Sequence, residues 1–283
     1  MNRNELTFIG CDRDYSEADI VVFGAPFDGT TSFRPGTRFA ANAMRLDSGG
    51  GIETYSIAQG RDLNDVAVCD IGDVLIPIGS TIQALEAIEK TAAQILADGK
   101  LPVMIGGEHL VSLASVRAVA KKHPGVHVIH FDAHSDLRDE YYGQEFSHAT
   151  VMRRIWDIVG DGRIFQYGIR SGEREEIEWG KSHVYTNFFN CDNLDHAIER
   201  VKDKPVYLSI DLDVLDSSVL PGTGTPEAGG ISYNELTESI MRLSGLDIVA
   251  ADVNELSPHY DHSGASTLTA CKILRELLLM LGK

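Results

Sequence analysis

The chain has 283 residues, 43% of them hydrophobic and 24% charged, an ordinary balance for a folded globular protein. Its formal net charge is −17 and its isoelectric point about 4.9. Nucleic acid and anionic membrane surfaces are therefore excluded as partners, because each needs a basic face, whereas a small cationic ligand is concentrated by such a surface. The four cysteines (Cys11, Cys69, Cys191, Cys271) are dispersed without a CxxC pair, as expected of reduced thiols in a cytosol. The opening Met-Asn-Arg-Asn-Glu lacks the basic-then-apolar pattern of a secretory signal. No run approaches the roughly 20 apolar residues of a membrane span. We expect a cytoplasmic protein with one domain over residues 1–283, without linker or repeat.

Taken in chain order, short apolar runs predict strands at Ile20–Phe23 and Val66–Cys69. A helix follows over Thr81–Ala97, with Ile82, Leu85, Ile88, Ala92, Ile95 and Leu96 at helical spacing and Asp98-Gly99 as a stop. Further strands are predicted at Leu101–Ile105, Val126–Phe131, Arg163–Tyr167, His183–Tyr185 and Val206–Ile210. Ser232 begins another helix, with Glu235 at capping-box spacing. The last strand is Ile248–Ala251, and an apolar helix covers Leu268–Leu281. Strands without polar alternation suit a parallel sheet buried on both faces. Their alternation with helices predicts an α/β fold, a three-layer αβα sandwich.

The chemistry gathers just past these strands. Val126–Phe131 runs into Asp132-Ala-His134-Ser-Asp136, Val206–Ile210 into Asp211-Leu-Asp213, and Leu101–Ile105 into Gly106-Gly-Glu-His109. Residues two apart on a strand face the same side, so Asp132 and His134 aim at one spot. A lone Asp-x-Asp is a common turn, but three such motifs share the strand edge where open parallel sheets bind ligands. Four aspartates and two histidines are too many donors for one ion and enough for two. The oxygen-rich, thiolate-free set suits manganese, with zinc, iron or cobalt as alternatives. Water held by such a pair of ions becomes a nucleophile at neutral pH.

These motifs, in order, resemble the ureohydrolase family of arginase and agmatinase, and its agmatinase branch most closely. Gly24-Ala-Pro-Phe-Asp28, Arg34-Pro-Gly-Thr-Arg38, Ser147-His148-Ala, Pro221-Gly-Thr-Gly-Thr-Pro226 and Val253-Asn-Glu255 complete the set, which covers nearly the whole chain. The resemblance implies the arginase-type sandwich around an eight-stranded parallel sheet. It implies two Mn2+, one held by His109, Asp132, Asp136 and Asp211, the other by His134, Asp132, Asp211 and Asp213. It also implies a homo-oligomer, trimeric or hexameric, with Glu255 binding the guanidinium as a charge-assisted bidentate partner. His148 becomes a proton shuttle to the leaving amine, its ordinary pKa near 6.5 suiting that role. The remaining histidines, His130 among them, match no ligand position and are read as structural.

The substrate is then a guanidino compound cleaved to urea and an amine. The loop Leu137–Phe146 lacks the asparagine and serine groups with which arginases hold an amino-acid head. Its Asp139 and Glu140 would tolerate a distal ammonium better than a carboxylate, which favours agmatine, giving urea and putrescine. Arg138 keeps guanidinobutyrate as the alternative, ahead of arginine and formiminoglutamate. A dimetal phosphoesterase could use similar ligands, but a net charge of −17 suits an anionic ester poorly. An inactive binding homologue would need a lost ligand, and all six positions are present.

Overall fold

The computed structural model describes residues 6–282. Ten strands occur among them, β1 (Ile20–Gly24), β2 (Tyr55–Ser56), β3 (Arg61–Asp62), β4 (Val68–Asp73), β5 (Leu101–Ile105), β6 (His127–Phe131), β7 (Ile164–Ile169), β8 (Tyr185–Phe188), β9 (Pro205–Asp211) and β10 (Asp247–Asn254). Eight form one sheet in the order β4-β1-β5-β10-β9-β6-β7-β8, every neighbouring pair parallel. The short antiparallel pair β2–β3 stands apart.

Side chains alternate across the sheet and feed two cores. Ile20, Val22, Val103, Ile105, Ile129 and Phe131 pack on one face against α1 (Ala40–Gly51), α6 (Leu194–Val201), α7 (Tyr233–Arg242) and α8 (Ala265–Leu281). Val21, Phe23, Met104 and Val128 pack on the other against α2 (Thr81–Ala97), α3 (Val111–Lys122) and α4 (Val151–Val159). The remaining α-helix among the described residues, α5 (Arg174–His183), lies between β7 and β8 in the chain. This is a three-layer α/β sandwich around an eight-stranded parallel sheet, the architecture that the resemblance implies. Apolar burial on both faces explains why its strands lack polar alternation.

All eight predicted sheet strands are present, and the displaced boundaries have local causes. The segment His183–Tyr185 enters the sheet only at Tyr185, because His183 closes α5, stacked at 4.1 Å on Trp179 one turn back. Strand β4 begins two residues after Val66, whose amide caps a 3-10 turn at Leu63. It continues to Asp73 because buried Arg45 pairs with Asp70 and Asp73, so polar residues persist inside a strand. Helix α2 has the predicted bounds, with Ser80 Oγ accepting from the Gln83 amide. The four cysteines are free and buried.

The sheet order also explains where a site can form. The chain winds from β5 past two vacant places to β6, then returns through β9 and β10 to fill them. Strands β5, β10, β9 and β6 are consequently adjacent, with carboxyl ends on one edge, at a switch in winding direction where such folds bind ligands.

Candidate metal centre

From that edge the loops deliver the six expected donors to one place. His109 follows β5, Asp132, His134 and Asp136 follow β6, Asp211 ends β9, and Asp213 sits in the 3-10 turn behind it. His109 Nδ1 lies 3.0 Å from Asp132 Oδ2, 3.2 Å from Asp211 Oδ2 and 3.3 Å from Asp136 Oδ2. His134 Nδ1 lies 3.0 Å from Asp213 Oδ2 and 3.5 Å from Asp132 Oδ1. Asp132 thus turns one oxygen toward each histidine, as a carboxylate shared by two ions must. Asp136 reaches its place through a left-handed backbone, φ 53°. A residue without glycine's freedom adopts that conformation only when its surroundings compel it.

The set fits a pair of divalent ions. His109 Nδ1 is buried and has no hydrogen-bond partner, although three carboxylate oxygens surround it. Donors about 2.1 Å from one ion stand roughly 3 Å from one another, the spacing found here. With protein groups alone the charges conflict. Burial, reinforced by Asp213 and Asp132, pushes Asp211 far above the carboxylate range. Burial and the Asp132 charge push Asp136 up to about 7. Burial would raise Asp132 too, but His130, His109 and His134 outweigh it and hold that carboxyl well below its usual value. Divalent cations held by these groups would remove the conflict.

Beneath the ligands runs a buried polar rung, Asp252, Ser209, His130 and Gln166, in register on β10, β9, β6 and β7. Ser209 Oγ donates to Asp252 Oδ1 at 2.7 Å, so at the 2.9 Å contact His109 Nε2 must be the donor. That tautomer leaves the Nδ1 lone pair free for an ion. Gln166 Nε2 donates to His130 Nδ1 at 3.2 Å, and His130 Nε2 donates to Asp132 Oδ2 at 2.8 Å. His130 stands close enough to His109 and Asp132 to share an ion with them, yet both its nitrogens are engaged. It orients the Asp132 carboxylate. The sequence motifs give Ser209, Asp252 and Gln166 no role; Ser209 lies one strand period behind the ligand candidate Asp211, while Asp252 and Gln166 are signalled only by their places beside Ser209 and His130 across the sheet.

Glu255 and His148 complete the site from two sides. Glu255 follows β10, is 4% exposed and has φ 66°, another left-handed position. Its Oε1 accepts the His109 amide at 2.7 Å, and Gly224 leaves room beside Oε2, where a β-carbon would stand 3.3 Å away. Burial, then the charges of Glu108 and Asp213, raise its carboxyl well above the usual range. His148 lies in a cavity of about 190 Å3 lined also by Ser32, His134, Asp136, Arg138, Tyr141 and Thr225. Burial, then the His134 and His109 charges, lower its pKa to about 4.

Asp139 and Glu140 are not brought to this cavity. They line a neighbouring surface pocket, where Asp139 pairs with Arg154 at 2.9 Å and Arg153 at 3.6 Å. A carboxylate nearer the centre is Glu227, whose Oε1 is 3.9 Å from His134 Nε2. Arg170 pins that segment and the Asp213 turn together, donating to the carbonyls of Asp213, Val214, Glu227 and Ala228.

Residues 18–280 match the model of the arginase family. The chain is 42% identical to the agmatinase of Bacillus subtilis over 277 residues, 96% of this chain and 95% of that protein. It is 36% identical to the guanidinobutyrase of Pseudomonas aeruginosa, over 93% of this chain and 86% of the relative. The crystal structure of agmatine ureohydrolase from Thermoplasma volcanium superposes with a TM-score of 0.88 at 35% identity, covering 98% of this chain and 94% of that one. A fold of this topology, a centre of this composition and relatives of this similarity have one meaning: the chain belongs to the arginase family.

Proposed function

We propose that this protein hydrolyses agmatine to urea and putrescine at a dinuclear manganese centre. The observation that carries the reading is Asp132, one of whose oxygens faces His109 and the other His134. His109, Asp132, Asp136 and Asp211 would hold one ion, and His134, Asp132, Asp211 and Asp213 the other. Such a pair supplies an activated water and countercharge for the reaction. Glu255 orients the guanidinium, presenting Oε2 beside Gly224 while Oε1 is braced by the His109 amide. His148 stands on the wall of the same cavity as His134 and Asp136, in place to pass a proton to the departing amine. The His134 and His109 charges that help lower its pKa would be absent from neutral, metal-bound imidazoles, which brings it back toward the range such a role needs.

The choice of agmatine rests on charge at the cavity mouth. Arg138 is the cation that could hold a substrate carboxylate, but it is paired with Glu173 at 3.1 Å and Glu176 at 3.4 Å and lies over the Tyr141 ring. The nearby Glu227 and the net charge of −17 favour a distal ammonium. Asp139, offset by two arginines, and Glu140 act through the general field, not through contact. The position of Arg138 on the cavity wall keeps guanidinobutyrate as the second reading. The same proposal places the protein in the cytoplasm as a homo-oligomer, trimeric or hexameric.

Metal analysis and urea release from agmatine, arginine and guanidinobutyrate test it together. We expect close to two manganese ions per chain. Agmatine should exceed arginine in kcat/KM by at least about tenfold, roughly 1.4 kcal/mol, and added salt should erode the advantage. A single ion at full activity would sink the dinuclear reading, and a better turnover of guanidinobutyrate the choice of substrate.

A further inference from the structure

Glu108 stands between the glycines of Gly106-Gly107 and His109, yet its carboxylate turns to the Thr30–Thr31 loop and not to the donor cluster. It is fully buried, its amide donates to Phe27 O at 2.8 Å, and it belongs to neither group of donors close enough to share an ion. Both carboxylate oxygens are spent on the loop after β1. Oε2 accepts the Thr30 amide at 3.0 Å and the Thr31 hydroxyl at 2.9 Å; Oε1 accepts the Thr30 hydroxyl and stands 3.2 Å from the same amide.

The Thr30 hydroxyl gives its single proton to Glu108, so toward any other group it can only accept. It accepts the His148 amide at 3.1 Å. That amide opens the 3-10 turn His148–Thr150, where the backbone offers no partner of its own. Two residues along the same loop, Ser32 Oγ meets His148 Nε2 at 3.1 Å. Backbone and ring of His148 are therefore both held by one loop, and Glu108 holds the loop.

We infer that Glu108 is a positioning residue that sets His148 over the metal centre through Thr30. The inference rests on the reading of His148 as the proton carrier. A carboxylate suits the place because it accepts at both oxygens and so takes the Thr30 amide and both threonine hydroxyl protons at once. Glu108→Gln keeps the shape but replaces one accepting oxygen with an NH2, so either a hydroxyl turns its proton away or the Thr30 amide loses its acceptor, and the hold on the loop and on His148 is weakened.

The test uses metal-loaded full-length enzyme and two routes to the same link. Glu108→Gln and Thr30→Val should each lower kcat by about ten- to a hundredfold, the loss expected of a ~1 Å misplacement, with KM and metal content near wild type. Thr30→Ser, which keeps the hydroxyl, should retain turnover. In a His148→Ala background Glu108→Gln should cost nothing further. Hydrogen exchange at the His148 amide, followed by mass spectrometry, should accelerate in both link-breaking variants. Unchanged exchange, an undiminished Glu108→Gln loss in the His148→Ala background, or a loss that tracks metal content would each overturn the inference. Should Glu108→Gln not fold, Thr30→Val decides it alone. Should His148→Ala turn over normally, the proton role of His148 fails, and exchange at its amide still decides whether Glu108 holds it.

Discussion

At the scale of single residues, Asp136 and Glu255 show what the site demands of the backbone. Both adopt a left-handed conformation without being glycine, and both are candidate site residues. Such positions persist only where surrounding contacts over-determine them, and they collect at functional sites. For Glu255 the contacts are the His109 amide on its carboxylate and its own amide donating to Gly107 O at 2.9 Å. Glu255→Gln keeps the shape and removes the charge opposite the guanidinium in ground and transition states alike. It should raise KM as well as lower kcat in steady-state kinetics. His148→Ala should leave both ions in place by metal analysis and lower kcat by the 10² to 10⁴ or so usual for proton-transferring groups. Turnover at the wild-type rate at every pH would remove His148 from the mechanism. The six donors were readable beforehand because each is a metal-binding side chain at a strand end. Thr30 and Ser32 were not, because ordinary hydroxyls in a loop gain meaning only from neighbours 118 and 116 residues away.

At the scale of elements, the strands were legible through their apolar interiors, and the polar rung was not for the same reason. Strand β10 runs three residues past Ala251, through Asp252 and Asn254, because both are buried and hydrogen-bonded to β9 or α3. Polarity there reads as the end of a strand when it is the floor of the metal centre. Outer partners of metal-bound histidines fix tautomer and ring orientation, and their loss usually weakens metal binding roughly 10- to 100-fold. Ser209→Ala and Asp252→Asn should weaken binding at His109 by that order while the sheet persists, checked by metal titration beside circular dichroism. Affinity equal to wild type in both would reduce the rung to packing. The approach of the loop after β5 to the loop after β1 is equally strict. A β-carbon on Gly107 would stand 1.9 Å from Phe27 O, backbone that cannot swing aside. Gly107→Ala should therefore displace His109 and Glu108 together, with loss of metal in the same titration.

At the scale of the whole molecule, the centre concentrates buried charge in a protein that is already strongly acidic, and stability becomes coupled to metal and pH. Burial and neighbouring carboxylates raise Asp136 to about 7 and push Asp211 and Glu255 well above their usual range. Against the opposition of burial, the Asp132, Asp136 and Asp211 carboxylates also raise His109, and Asp213 and Asp132 raise His134. A group whose folded pKa is raised contributes stability at low pH and loses it as pH climbs through the folded value. His148, lowered to about 4 from 6.5, and His130, also lowered, have the opposite sign, but their contributions are complete once pH exceeds 6.5. Between pH 6.5 and about 8 only the destabilising trend remains, so the chelator-treated protein should melt at progressively lower temperature across that window. Bound ions keep the same carboxylates ionised without a proton and favour the folded state by mass action. Manganese-loaded protein should then show a higher Tm with little slope over the same range. Calorimetry of both forms in matched buffers checks this. Parallel curves with and without metal would mean that the cluster's charge conflict does not limit stability and that the acidic surface as a whole sets the pH response.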